Sequence, residues 1–132
     1  MTYLNTLSVS FGTTYFHVAV CIEKKVYIVE NELGERQTLA YISFTDDEEP
    51  LIGKPARIQL FTNQPNTIYD IHQLIGRKFS DLNFQESMKN WPFKIVSDDS
   101  DKPLIEVKWK GETKNFKRRY MCNNCSSTMF HR

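Results

Sequence analysis

Leu7, Val9 and Phe11 alternate with Ser8 and Ser10, Gly12-Thr13-Thr14 interrupts, and Phe16, Val18, Val20 and Ile22 resume the same two-residue period. Only an extended backbone places every second side chain on one face, so this stretch is constrained to two strands folded back at the glycine. The opposite face of the second run carries His17, Ala19 and Cys21. Glu23-Lys24-Lys25 breaks that run and Val26-Tyr27-Ile28-Val29 begins another. The first thirty or so residues are therefore expected to form an antiparallel three-stranded meander.

The rest of the chain changes period. Asn31 to Gln37 is polar with Gly34 as its turn, Leu39 to Phe44 is one further strand, and Thr45 to Pro50 is an acidic loop. Pro55 suits the first turn of a helix through Ala56, Ile58 and Leu60, which Asn63-Gln64-Pro65-Asn66 stops. Tyr69 to Ile75 reads as a short helical turn before Gly76. Ser80 is the expected N-cap of a helix that carries Phe84 and Met88 on one face and ends at Trp91-Pro92. Phe93 and Ile95 open a strand, Asp98 to Asp101 is a solvated turn, and Ile105, Val107 and Trp109 alternate up to a Lys110-Gly111 hairpin leading into Thr113 to Phe116. The expected fold class is mixed α/β.

A chain of 132 residues with 40% hydrophobic and 25% charged residues fits one modest domain. Its formal net charge of +1 offers no strong field, which argues against nucleic acid or a membrane surface as partner; the local cluster Lys114 to Arg119 is the exception. No apolar run approaches the ~20 residues needed to span a bilayer. Met1 to Thr6 has neither a basic leader nor an apolar segment, and Cys21, Cys122 and Cys125 make no disulfide framework, so the cytoplasm, with the nucleus as a second compartment, is the expected location.

Two constellations could carry chemistry. A turn between strands can aim successive N–H groups at an anion, and Gly12, Thr13, Thr14 and Tyr15 would add close backbone approach and hydroxyl donors, although an ordinary hairpin turn reads the same way. Cys122, Cys125 and His131 could supply three of the four ligands of a zinc ion, with incidental cysteines in a frayed tail as the alternative.

Several blocks resemble the heat shock protein 70 (DnaK-type) chaperone family in order and spacing. They are Gly12-Thr13-Thr14-Tyr15 followed by Val18-Ala19-Val20; Leu51-Ile52-Gly53; Pro65-Asn66-Thr67; Leu74-Ile75-Gly76-Arg77-Lys78-Phe79-Ser80-Asp81; Trp91-Pro92-Phe93-Lys94; and Lys110-Gly111-Glu112-Thr113-Lys114. The resemblance implies the amino-terminal part of a two-lobed, actin-like (ribonuclease H-like) ATPase domain: residues 1–116 as a partial first lobe, and residues 117–132 as a divergent, disordered tail. It further implies ATP or ADP with magnesium as cofactor, Gly12 to Tyr15 as the phosphate-binding hairpin, and co-chaperones or nucleotide exchange factors as partners.

The departures bear on catalysis. Ser10 stands where the family carries an aspartate that organises metal and water, and a neutral hydroxyl is a poorer partner for a hard cation. His72, two residues after the matching Asp70, stands where the family has lysine, and Gln73 where it has arginine. A histidine lacks lysine's fixed charge, and charge stabilisation is the main lever in phosphoryl transfer. Hydrolysis by this chain alone is therefore not expected. Phe11 and Phe16 replace a leucine and a serine of the family, so Phe16 is expected in the core and Phe11 to crowd it. One synonymous choice of codons for Arg118 to Met129, read one base out of frame, gives Glu-Asp-Ile-Cys-Ala-Thr-Ile-Val-Gln-Ala-Pro, similar to the family's next helical segment; a frame change near Lys117 would explain the tail.

Overall fold

The computed structural model describes residues 6–121. The alternating runs form β1 (Thr6–Phe11), β2 (Tyr15–Ile22) and β3 (Lys25–Ile28), an antiparallel meander in which Leu7 faces Val20, Val9 faces Val18 and Phe11 faces Phe16. Directly opposed residues share a face, so Leu7, Val9, Phe11, Phe16, Val18, Val20, Ile22 and Tyr27 lie together, and Ser8, Ser10, His17, Ala19 and Cys21 lie on the reverse. The two-residue loop Glu23-Lys24 between β2 and β3 has both φ positive, the twist a tight hairpin demands, taken here without glycine.

The single strand expected over Leu39 to Phe44 is two strands that serve different sheets. In β4 (Thr38–Leu39), Leu39 pairs with Tyr15 of β2, while β5 (Ile42–Ser43) lies between β6 (Leu51–Ile52) and β7 (Thr67–Ile68). The break is a backbone event: the Ala40 N–H donates to the Thr14 carbonyl and the Tyr41 N–H folds back onto the Leu39 carbonyl, both at 2.8 Å. That bend redirects the chain from one sheet to the next while Leu39, Ala40, Ile42 and Phe44 all stay buried.

Pro55 does sit in the first turn of a helix, α1 (Lys54–Ile58), which tightens into a 3-10 turn over Gln59–Phe61. Further 3-10 turns cover Gln64–Asn66 and Ile71–Leu74. The helix α2 (Leu82–Met88) is capped by Asp81, not by Ser80: the Asp81 side chain accepts the N–H groups of Asn83 and Phe84. Ser80 instead donates its hydroxyl to the Asp101 carboxylate at 2.5 Å, tying the loop before α2 to the next turn. An aspartate one position later caps as well as a serine, and Asp101 supplied a better use for the Ser80 hydroxyl. The chain closes with β8 (Lys94–Ser97), β9 (Pro103–Trp109) and β10 (Glu112–Phe116), an antiparallel sheet ordered β10-β9-β8. Lys110 and Gly111, both at positive φ, make the β9–β10 hairpin. The mixed α and β class is borne out.

Two apolar clusters result. The larger gathers Ile42, Phe44, Ile68, Leu74, Phe84, Trp91, Phe93, Ile95, Ile105, Val107 and Met121. The smaller holds Phe16, Val18 and Ala40, with Val9, Phe11 and Val29 partly buried against them; Ile52 packs against both clusters. Phe16 is fully buried as expected, and Phe11 stacks on it at 5.3 Å. Phe11 remains half-buried, so the edge of the sheet absorbs its extra bulk and no crowding results. Past β10, residues 118–121 start a helical turn in which Tyr120 stacks on Phe116 at 4.2 Å and Met121 is fully buried. Among the described residues, no helix is long and apolar enough to cross a membrane.

Candidate phosphate-binding hairpin

The β1–β2 connection holds Gly12, Thr13 and Thr14 of the candidate phosphate site, and Tyr15 opens β2. The Gly12 N–H donates to the Tyr15 carbonyl at 2.8 Å and closes the loop, while the Thr14 carbonyl is anchored to β4 through the Ala40 N–H. Gly12 does not owe its place to a positive φ. A Cβ there would lie 3.1 Å from the Tyr15 carbonyl oxygen, so a side chain would press on the atom that closes the turn. Thr13 and Thr14 are exposed, and neither N–H finds a hydrogen-bond partner among the described residues. Two unpartnered donors side by side, with two hydroxyls, stand at the end of a hairpin whose base residues Phe16 and Val18 are buried, an arrangement that could receive an anion.

The two departures sit on different elements. Ser10 projects from the polar face of β1 opposite His17, whose Nε2 is 3.4 Å from Gln37 Oε1. Ser10 stands there where the resemblance implies a carboxylate. His72 lies half-buried in the 3-10 turn after β7, preceded by Asp70 in the left-handed region at φ 56°. Among the described residues, no hydrogen bond or ion pair links His72 to Ser10 or to the Gly12–Tyr15 loop. Next to Asp70, the Tyr69 phenol is pushed above its ordinary value by burial first, then by the charge of Asp70 and by Tyr41, on which it stacks at 5.3 Å. The zinc candidates Cys122, Cys125 and His131 lie outside the described residues.

Asn63 and Asn66 are residues that sequence reasoning missed. The Asn63 amide donates to the Phe44 carbonyl at 2.8 Å, and the Asn66 side-chain oxygen accepts the Lys108 N–H at 2.7 Å, so two asparagines stitch β5, the turn before β7 and β9 together. Beneath them the buried Ser43 and Thr67 hydroxyls meet at 2.9 Å, and Thr67 also donates to the Asn63 carbonyl. The available signal was two asparagines three apart, the second inside the Pro65-Asn66-Thr67 block.

The Hsp70 protein family model matches residues 6–130, past Phe116, where the recognisable blocks stop. The heat shock cognate 70 kDa protein 3 of Dictyostelium discoideum is 46% identical over 114 residues, 86% of this chain and 18% of that protein. The heat shock 70 kDa protein of Emericella nidulans is 46% identical over 110 residues, covering 83% of this chain and 17% of that protein. A ribosome-associated molecular chaperone of Eremothecium gossypii is likewise 46% identical over 110 residues, 83% of this chain and 18% of the chaperone. The chain thus spans less than a fifth of the length of these relatives. With the family match running through the hairpin and both apolar clusters, the chain belongs to the Hsp70 family.

Proposed function

We propose that this chain is a phosphate-binding fragment of an Hsp70 chaperone's nucleotide-binding domain, one that holds ATP or ADP through Gly12, Thr13, Thr14 and Tyr15 and does not hydrolyse it alone. The observation that carries the reading is the hairpin itself, with the Thr13 and Thr14 N–H groups unspent and exposed on a buried base. The donor set does not suit a magnesium ion held by the protein: Ser10 and His17, facing each other beside the loop, present no carboxylate. Any magnesium would arrive on the nucleotide's own phosphates. Loss of one preorganised charge-stabilising group typically costs about 100- to 1000-fold in rate, and Ser10 and His72 represent two such losses.

Isothermal calorimetry of the folded chain with ATP, magnesium and potassium tests the reading. Saturable binding that weakens about tenfold in Thr13→Ala or Thr14→Ala, the loss of one hydrogen bond to a charged acceptor, supports it. A folded chain that takes up no nucleotide refutes it. A second reading, favoured by Ser10 and His72 standing where the family has an aspartate and a lysine, makes the chain a non-catalytic binding module for co-chaperones or nucleotide exchange factors in the cytoplasm. Under that reading, capture of such regulators persists in the threonine variants.

A further inference from the structure

We infer that Asn31 is a positioning residue for the phosphate hairpin: its carboxamide sets where β4 meets β2, and through β4 it holds the Thr14 carbonyl. The inference rests on the reading of Gly12 to Tyr15 as an anion-binding loop. Phe16 pairs with Phe11 on one side and with Thr38 on the other, so β1 lines one edge of β2 while β3 and β4 share the opposite edge. β3 covers Ala19 to Ile22 of β2, the Val29 N–H continues the contact onto the Val18 carbonyl, and β4 resumes it at Phe16 and Tyr15. Between those contacts residues 30–37 leave the sheet and return to it. The return has to keep register, because a slip of one residue would take the Ala40 N–H off the Thr14 carbonyl and exchange the faces of the buried Thr38 and Leu39. The two residue pairs of β4 supply little of that constraint, since ordinary strands run to about five or six residues.

Asn31 supplies it at the base of the excursion. Its Oδ1 accepts the N–H groups of Leu33 and Glu35 at 2.9 and 3.0 Å. Its Nδ2 donates to the Gln37 carbonyl at 3.3 Å and to the Thr38 hydroxyl at 3.2 Å. Backbone N–H groups only donate and a carbonyl only accepts, so these partners dictate which way the carboxamide lies. The Asn31 backbone works in parallel: its N–H donates to the Glu35 carbonyl at 2.8 Å, and its carbonyl accepts the Gly34 N–H at 3.0 Å. One side chain thus coils the excursion on its oxygen and grips the first residue of β4 on its nitrogen. Thr38 is also packed closely there, its Cγ2 only 3.0 Å from where a Cβ on Gly53 would stand. From that fixed point Thr38 pairs with Phe16, Leu39 pairs with Tyr15, and the Ala40 N–H arrives at the Thr14 carbonyl. A carbonyl oxygen repels an anion that N–H groups attract, so holding the Thr14 oxygen against β4 keeps it out of the way of a phosphate on Thr13 and Thr14.

Asn31→Asp separates the two halves of the carboxamide. The carboxylate still accepts the Leu33 and Glu35 N–H groups, but it donates nothing and sets an oxygen against the Gln37 carbonyl. The test compares this variant with the unaltered 132-residue chain by amide exchange in NMR and by calorimetry with ATP, magnesium and potassium. The expected result is an Ala40 N–H that exchanges about fivefold faster and an ATP affinity about fivefold weaker, the loss of one neutral hydrogen bond, while the amides of β8 and β9 keep their rates. An unchanged Ala40 rate overturns the inference, and so does a uniform acceleration that includes β8 and β9, which a merely structural turn would give. A faster Ala40 with undiminished ATP affinity also overturns it. If the unaltered chain takes up no ATP, the phosphate reading falls by itself, and the Ala40 rate still decides whether Asn31 sets the register of β4. Should Asn31→Asp fail to fold, the Asn31 side-chain NH2 protons of the unaltered chain decide: exchange in step with the Ala40 N–H upholds the inference, and exchange as fast as a free carboxamide overturns it.

Discussion

Met121→Ala is the most informative single perturbation of the fold, because it asks whether the chain beyond β10 belongs to the domain. Met121 is fully inaccessible and joins the larger apolar cluster, and the stacked Phe116 and Tyr120 rings lead the backbone toward it. Truncating a buried methionine to alanine costs roughly 2–5 kcal/mol, the spread reflecting how far the site collapses. Met121 lies in the helical turn over residues 118–121, and with neighbours shifting to fill the space the lower part of that range, about 2–3 kcal/mol, is expected. A chain of this size has a urea slope of about 1.5 kcal/mol/M, so the midpoint should fall by about 1.3–2 M with an unchanged slope. Phe61→Ala, at 86% exposure, is the control and should move the midpoint little. Equilibrium urea unfolding followed by tryptophan fluorescence makes the comparison directly, since Trp91 and Trp109 both lie in or against the larger cluster. If Met121→Ala shifts the midpoint no more than Phe61→Ala does, residue 121 contributes nothing to the core and the inference from its burial is refuted.

The remaining expectations concern a cap, a turn and the gene. Asp81→Ala should destabilise α2 by about 1 kcal/mol through loss of the cap, read as a lower thermal midpoint, whereas an equal or larger loss from Ser80→Ala would reverse the assignment of the cap. The Asp98 carboxylate accepts the N–H groups of Lys102 and Ser100, which hold its carboxyl below the ordinary value against a smaller opposing effect of burial. Because the folded form favours the charge, the support this turn lends is complete above the ordinary carboxylate value near ~3.9 and is lost as pH falls through the depressed folded value. An NMR titration of the Ser100 and Lys102 amides should therefore show a midpoint below ~3.9, and one at or above it refutes the assignment. Sequencing the gene across Lys117 to Met129 tests the frame change: codons with no family-like reading one base out of frame would remove that explanation of the tail.

What the sequence made legible was whatever a local pattern encodes. The β1–β2 hairpin was readable because alternation and Gly12 both act within a few residues, and the same holds for Lys110-Gly111 and for Pro55 in the first turn of α1. The division of Leu39 to Phe44 between two sheets was not, because it depends on an Ala40 N–H finding Thr14 some 26 positions earlier. The cap of α2 was missed by one residue for the same reason: what freed Ser80 from capping was Asp101, on a distant turn. The hairpin that carries Gly12 to Tyr15 was legible from alternation, while the stitching by Asn63 and Asn66 is a long-range fact.

The sharing of Ile52 between the two apolar clusters has a consequence for how a ligand would be felt. The hairpin rests on the smaller cluster, whose buried members among the described residues are Phe16, Val18 and Ala40, and that cluster meets the larger one at Ile52. A small core coupled to a large one through so narrow a contact can open by itself at a lower free energy than the whole domain requires. The proposed phosphate loop thus belongs to the more weakly held cooperative unit. An anion seated on Thr13 and Thr14 would act first as a fastener for that unit, trading part of its affinity for local order, so that occupancy is reported by amide exchange in β1 and β2 before any change in global melting.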